Sequence, residues 1–87
     1  NDVIIKGTQK QFIPYQGIYV MHHEYEGRHA MVIINGRRTA STVDLARYKE
    51  CIPSAAKARD ITTGRTYNIS AATQLSLTPR QTMILEY

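Results

Sequence analysis

The stretch IYVMHHEYEGRHAMVIING, residues 18–36, decides the fold. In its first half, extended backbone would put Ile18, Val20, His22 and Glu24 on one face. Tyr19, Met21, His23 and Tyr25 would then lie on the other, because successive strand residues point to opposite sides. Glu26-Gly27 reads as a tight turn, since glycine accepts a positive φ at no steric cost. The chain returns from His29 to Asn35, and Ala30-Met31-Val32-Ile33-Ile34 is apolar without a break. A run that continuous implies cover on both faces, as for a central strand. Asn35-Gly36 is a turn dipeptide that ends it. Residues 18–35 therefore read as a β-hairpin with one arm deep in a sheet.

The pattern continues outward in both directions. Upstream, Val3-Ile4-Ile5 is apolar and stops at Gly7, residues 8–13 can extend until Pro14 removes a ladder donor, and Tyr15-Gln16-Gly17 reads as a turn. Downstream, Thr39 to Val43 is rich in β-branched and hydroxyl residues and predicts a strand. Asp44 is placed to cap a short helix over Leu45 to Glu50, with Leu45 and Tyr48 on one face and Pro53 stopping it. Further strands are predicted at Lys57–Ile61, Arg65–Ile69, Gln74–Leu77 and Thr82–Tyr87. Thr62-Thr63-Gly64, residues 70–73 and Pro79-Arg80 connect them. Many short strands at even spacing with one short helix predict an all-β sandwich or barrel.

Composition bounds the rest. The 87 residues amount to one domain, 1–87, and 43% hydrophobic against 21% charged residues excludes a disordered chain. The lone Cys51 rules out an internal disulfide and a multi-cysteine zinc site. No apolar run approaches the roughly 20 residues of a membrane-spanning helix. A signal peptide is not seen either, and a start at Asn1 suggests an excised segment. Net charge is +4, but the cations are scattered and only Arg37 and Arg38 adjoin.

Catalytic and metal constellations are hard to assemble from these residues. Glu24 and Glu26 could share a strand face at a spacing that suits glycoside hydrolysis. At an exposed hairpin tip, however, nothing would separate their pKa values. His22 and His23 point to opposite faces, so they cannot both grip one ion; His29, across the hairpin, can approach one of them. Nothing local activates Cys51, and the serines lack a nucleophile-elbow context. Six tyrosines are available for core edges, domain interfaces or stacking on sugar rings. Tyr15, Tyr19 and Met21 are the candidate interface or sugar-contacting residues, with the Val3–Ile5 run beside them. No catalytic, cofactor or metal residue is assigned.

The order of motifs carries a resemblance. Gly7-Thr8-Gln9-Lys10-Gln11-Phe12-Ile13-Pro14, then Gly17-Ile18-Tyr19-Val20, then Met31-Val32-Ile33-Ile34-Asn35 resemble the C-terminal domain of cyclomaltodextrinases and neopullulanases of the α-amylase superfamily. Thr42-Val43-Asp44-Leu45 with Arg47-Tyr48 resembles that domain's strand and short helix. Asp60-Ile61-Thr62-Thr63-Gly64-Arg65-Thr66-Tyr67 resembles its D-x-x-T-G-x-x-Y hairpin, and Leu75-Ser76-Leu77 and Met83-Ile84-Leu85-Glu86 its closing strands. The likeness covers residues 7–87 and is nearest the Bacteroidetes starch-utilisation type. Met21-His22-His23 departs from it, since the family usually carries aromatic residues and arginine there.

The resemblance implies an antiparallel Greek-key β-sandwich. It would follow a (β/α)-barrel that holds the catalytic carboxylates, so the fragment itself would be no enzyme. The parent would cleave α-1,4-glucosidic bonds in the periplasm, with calcium, where used, held by the barrel and no cofactor in this domain. The expected role is structural packing on that barrel, the partner in the same parent chain. Two alternatives stand beside it: a starch-binding module with tyrosines in an exposed row, and a basic β-barrel binding nucleic acid through Arg28, Arg37, Arg38 and Lys57. Neither nucleic acid nor a membrane is the expected partner.

Overall fold

The computed structural model describes residues 8–52 and 55–87. The Val3–Ile5 run and Pro53 lie outside them. Among the described residues are eight strands: β1 (Thr8–Gln11), β2 (Ile18–Tyr25), β3 (Arg28–Asn35), β4 (Ser41–Asp44), β5 (Ala56–Asp60), β6 (Thr66–Ile69), β7 (Gln74–Leu77) and β8 (Thr82–Glu86). Six form one sheet in the order β1-β2-β3-β8-β5-β6, and β4 pairs with β7 in a second. Every pairing is antiparallel. The chain leaves the large sheet after β3, returns as β5 and β6, leaves again as β7, and comes back as β8 between β3 and β5. This is an all-β sandwich with Greek-key connections, as expected.

The hairpin at residues 18–36 sits where its sequence placed it. Ile18 pairs with Asn35, Val20 with Ile33 and His22 with Met31. Directly opposed residues share a face, so this set points at the small sheet. Ile18, Val20, Met31 and Ile33 are buried there with Met83 and Leu85 from β8 and Val43, Leu75 and Leu77 from the small sheet. The sandwich core is thus one shared face of the large sheet, even residues of β2 beside odd residues of β3 and β8, packed against Val43, Leu75 and Leu77 of the small sheet.

Beyond one-residue shifts at the ends of β3, β5, β6 and β8, three local expectations change. β1 ends at Gln11, not Ile13; Phe12 still donates to the Val20 carbonyl, but Ile13 turns out to 91% exposure. β4 begins at Ser41 rather than Thr39, because the Thr39 carbonyl is taken by the Asn35 side chain. The helix after Asp44 is a 3-10 helix, Leu45–Cys51, broken at Tyr48 by φ −121° and ψ 23°. Asp44 caps it as expected, its carboxylate accepting from the Ala46 N–H at 3.0 Å. Leu45, Tyr48 and Cys51 are buried against the sheet. That burial holds a helix too short to persist alone.

Two buried side chains fix the loops. Asn35, fully buried, donates through Nδ2 to the Thr39 and Thr78 carbonyls and accepts from the Arg37 N–H, all at 3.0 Å. Asp60, also fully buried, accepts through Oδ1 from the Thr62 N–H and hydroxyl and from the Ile84 N–H. The D-x-x-T-G motif is therefore a hairpin lock: its aspartate ties the β5–β6 turn to β8.

Candidate functional site

The outer face of the large sheet is built by the residues that the core did not take. Tyr19 pairs with Ile34, Met21 with Val32 and His23 with Ala30. Across β8, Ile34 pairs with Thr82, Val32 with Ile84 and Ala30 with Glu86. These rows place Tyr19, Met21, Val32, Ile34 and Ile84 side by side, and the small sheet lies on the other side. Tyr19 is 46% exposed, while Met21, Val32, Ile34 and Ile84 are half-buried among themselves. Polar groups edge the patch: Gln9, donating to the Met21 sulfur at 3.6 Å, and an Arg28–Glu86 ion pair at 3.3 Å. An apolar centre with a polar rim is the anatomy of a protein interface.

The unbroken run Ala30–Ile34 now has its reason. Met31 and Ile33 fill the core, whereas Val32 and Ile34 supply the open face. The domain covers that second face only in part. His23 lies in the same face, almost fully buried, and its Nδ1 finds no hydrogen-bond partner among the described residues.

The sequence-derived candidates divide between two places. Tyr19 and Met21 come together on the outer face. Tyr15 does not join them: it bridges to Ile18, a core-side residue, and so stands on the opposite side. Tyr15 and Tyr19 are the exposed tyrosines, at 42% and 46%. Their opposite orientation means that no exposed tyrosine row forms, as a starch-binding module of the flat type would need. Arg28 and the Arg37-Arg38 pair lie at opposite ends of β3, roughly 25 Å apart at strand rise, so the basic face of the nucleic-acid alternative is not assembled either.

Tyr15 instead walls a hollow of about 200 Å³ between the 15–18 turn and the start of the 3-10 helix. Its other lining residues are Gln16, Ile18, Thr42, Val43, Asp44, Arg47 and Tyr48. The Arg47 guanidinium stacks on the Tyr15 ring at 3.5 Å from its centroid. In the sequence Arg47 stands only within the Arg47-Tyr48 motif of the short helix, because only the fold brings it under Tyr15, 32 positions upstream.

The acidic and histidine candidates resolve as follows. Glu26 takes φ 51° in the hairpin turn with Gly27 at φ 78°, so it leaves the strand face it was expected to share with Glu24. His29 does approach one histidine of the pair: His22 Nε2 and His29 Nδ1 are 3.0 Å apart. His29 also stacks on Tyr87 at 5.0 Å and lies 3.6 Å from the Glu24 carboxylate. Burial, then His29, pulls His22 below the usual histidine pKa. Among the described residues no three His, Cys, Asp or Glu side chains are grouped to hold a metal ion. Burial pushes the Cys51 thiol pKa up, and Glu50 adds to the rise.

A two-sheet Greek-key sandwich with one partly covered apolar face is a module of the kind that joins a larger body. The chain belongs to the family of cyclo-malto-dextrinase C-terminal domains, whose model matches residues 9–86. Solved structures share the fold. One is AmyP in complex with maltose, with a TM-score of 0.80 and 19% identity over 98% of this chain and 17% of that one. A second is a GH27 β-L-arabinopyranosidase from Geobacillus stearothermophilus in complex with arabinose, at 0.67 and 21% over 91% of this chain and 19% of that one. A third is a β-galactosidase from Bacillus circulans, at 0.57 and 25% over 87% of this chain and 9% of that one. The chain thus spans less than a fifth of each of these proteins.

Proposed function

We propose that this domain is a non-catalytic C-terminal part of an α-glucan hydrolase of the cyclomaltodextrinase and neopullulanase kind, and that its outer sheet face packs on the catalytic (β/α)-barrel. The observation that carries the reading is the contiguous Tyr19–Ile34, Met21–Val32–Ile84 surface, apolar at its centre and rimmed by polar groups. Covering such a patch removes apolar area from water at about 25 cal/mol per Å². Its worth to the parent is therefore stability, not chemistry.

The comparisons support this division. A sandwich of this fold matches 9% of the β-galactosidase chain and 19% of the β-L-arabinopyranosidase chain. A module attached to enzymes of different glycosidic specificity is best read as carrying none of their chemistry. The cyclo-malto-dextrinase family membership points to α-glucan as the parent's substrate class.

Truncation tests the proposal. A parent lacking this domain should melt at lower temperature and inactivate faster, while the active-site chemistry per folded molecule persists. A truncated parent equally stable to heat and equally active would contradict it.

A further inference from the structure

The hollow beside Tyr15 has no part in the docking face, and its walls are chemically organised. The 15–18 turn is closed by reciprocal hydrogen bonds, Tyr15 N–H to the Ile18 carbonyl at 3.1 Å and Ile18 N–H to the Tyr15 carbonyl at 2.9 Å. Gln16 at φ 51° and Gly17 at φ 77° give it the two positive φ values of a tight hairpin turn. Tyr15 is therefore held on a short, stiff loop, and the Arg47 guanidinium stacked on it makes a flat composite wall. Asp44 faces the hollow from the helix cap, with Oδ1 already fixed by the Ala46 N–H. Ile18 and Val43 supply apolar lining, and Gln16, Thr42 and Tyr48 complete the wall.

We propose that this hollow binds one pyranose ring, a glucose unit of an α-glucan, at a site separate from the parent's catalytic centre. Size sets the first limit: pockets for drug-sized ligands run to about 300–1,000 Å³, so about 200 Å³ admits one sugar ring rather than a chain. Charge sets the second. Asp44 and Arg47 carry opposite signs on one small site, so a phosphate or an amine meets repulsion from one of them. A neutral hydroxyl both donates and accepts, and neighbouring hydroxyls on a ring can satisfy a carboxylate and a guanidinium together. The aromatic and aliphatic lining suits the C–H surface of the same ring. That the ring is glucose rests on the proposed function; that it is a pyranose rests on the hollow alone.

The test is an amide NMR titration of the 87-residue chain with maltose, galactose and sorbitol, an acyclic polyol. Maltose should give saturable shifts confined to residues 15–18 and 42–48, with a dissociation constant on the order of millimolar. Tyr15→Ala should weaken binding about tenfold or more. Asp44→Asn, which keeps a good N-cap, should weaken it by a similar factor, and both variants should retain the wild-type spectrum elsewhere. No saturable shift with any sugar, shifts centred on Tyr19 instead, or equal shifts with sorbitol would overturn the site. Galactose binding there in preference to maltose would overturn the glucan assignment alone. The docking face is judged separately, by the truncated parent.

Discussion

His22 and His29 face each other across the β2–β3 hairpin with Nε2 and Nδ1 3.0 Å apart. One nitrogen must donate and the other accept, so the pair is satisfied when both rings are neutral. Added protons would set charges against each other beside Glu24, His23 and Lys10, the other charges felt at His22. His22 is neutral to lower pH in the folded chain than in the unfolded one. Between its lowered folded value and the ordinary value of 6.5 the unfolded chain binds more protons. Its contribution to stability is thus complete above 6.5 and lost as pH falls through that window. Urea midpoints measured across it should fall with acidification, and more steeply in the wild type than in His22→Gln. Parallel slopes would show that the pair does not couple to folding.

Asn35 makes three hydrogen bonds from a fully buried position. Asn35→Ala strips the Thr39 and Thr78 carbonyls of their donor, at about 1–3 kcal/mol for the groups left unpaired. The melting temperature should drop by roughly 4–24 °C in a domain of this size, as calorimetry would read. Asn35→Asp should be no better, since its carboxylate would meet two carbonyl oxygens in place of a donor.

Tyr87 ties the end of the described chain to the helix: its hydroxyl donates to the Cys51 carbonyl at 2.8 Å. Burial, followed by Cys51 and Glu24, drives its phenol pKa well above the usual range, so the hydroxyl stays a donor through any physiological pH. Tyr87→Phe should cost about 1 kcal/mol in chemical denaturation, with the ring's stacking on His29 kept. A loss near zero would mean that water replaces the bond without penalty.

The strands were legible because their signals are local. The alternation of residues 18–25 and the turn at Glu26-Gly27 gave the hairpin, and β2 and β7 have the bounds read from sequence. Local signals failed where a distant partner decides. β4 starts late because the Asn35 amide claims the Thr39 carbonyl, and the helix tightens to 3-10 because its buried residues must meet the sheet. The candidate surface was legible in halves. Tyr19 and Met21 stood out on one strand face, but Val32 and Ile34 were hidden inside an apolar run that read as covered on both sides, and nothing local set Ile84 beside them. Tyr15 was grouped with Tyr19 on residue type, and its Ile18 bridge turns it the other way. The stacking of Arg47 on Tyr15 left no trace in spacing at all.

Thiol labelling puts the docking face to the most direct test. Tyr19→Cys places a reactive group at the exposed end of the outer face, in the row Tyr19–Ile34, and Ala72→Cys places one on an exposed connector. Native Cys51 is buried with a raised pKa, and so contributes little background. In the isolated 87-residue chain both introduced thiols should label at similar rates. In the full-length parent, Tyr19→Cys should react roughly tenfold or more slowly, since access governs the rate, while Ala72→Cys is unchanged. Equal labelling of Tyr19→Cys in the isolated chain and in the parent would contradict the assignment of this face to the barrel.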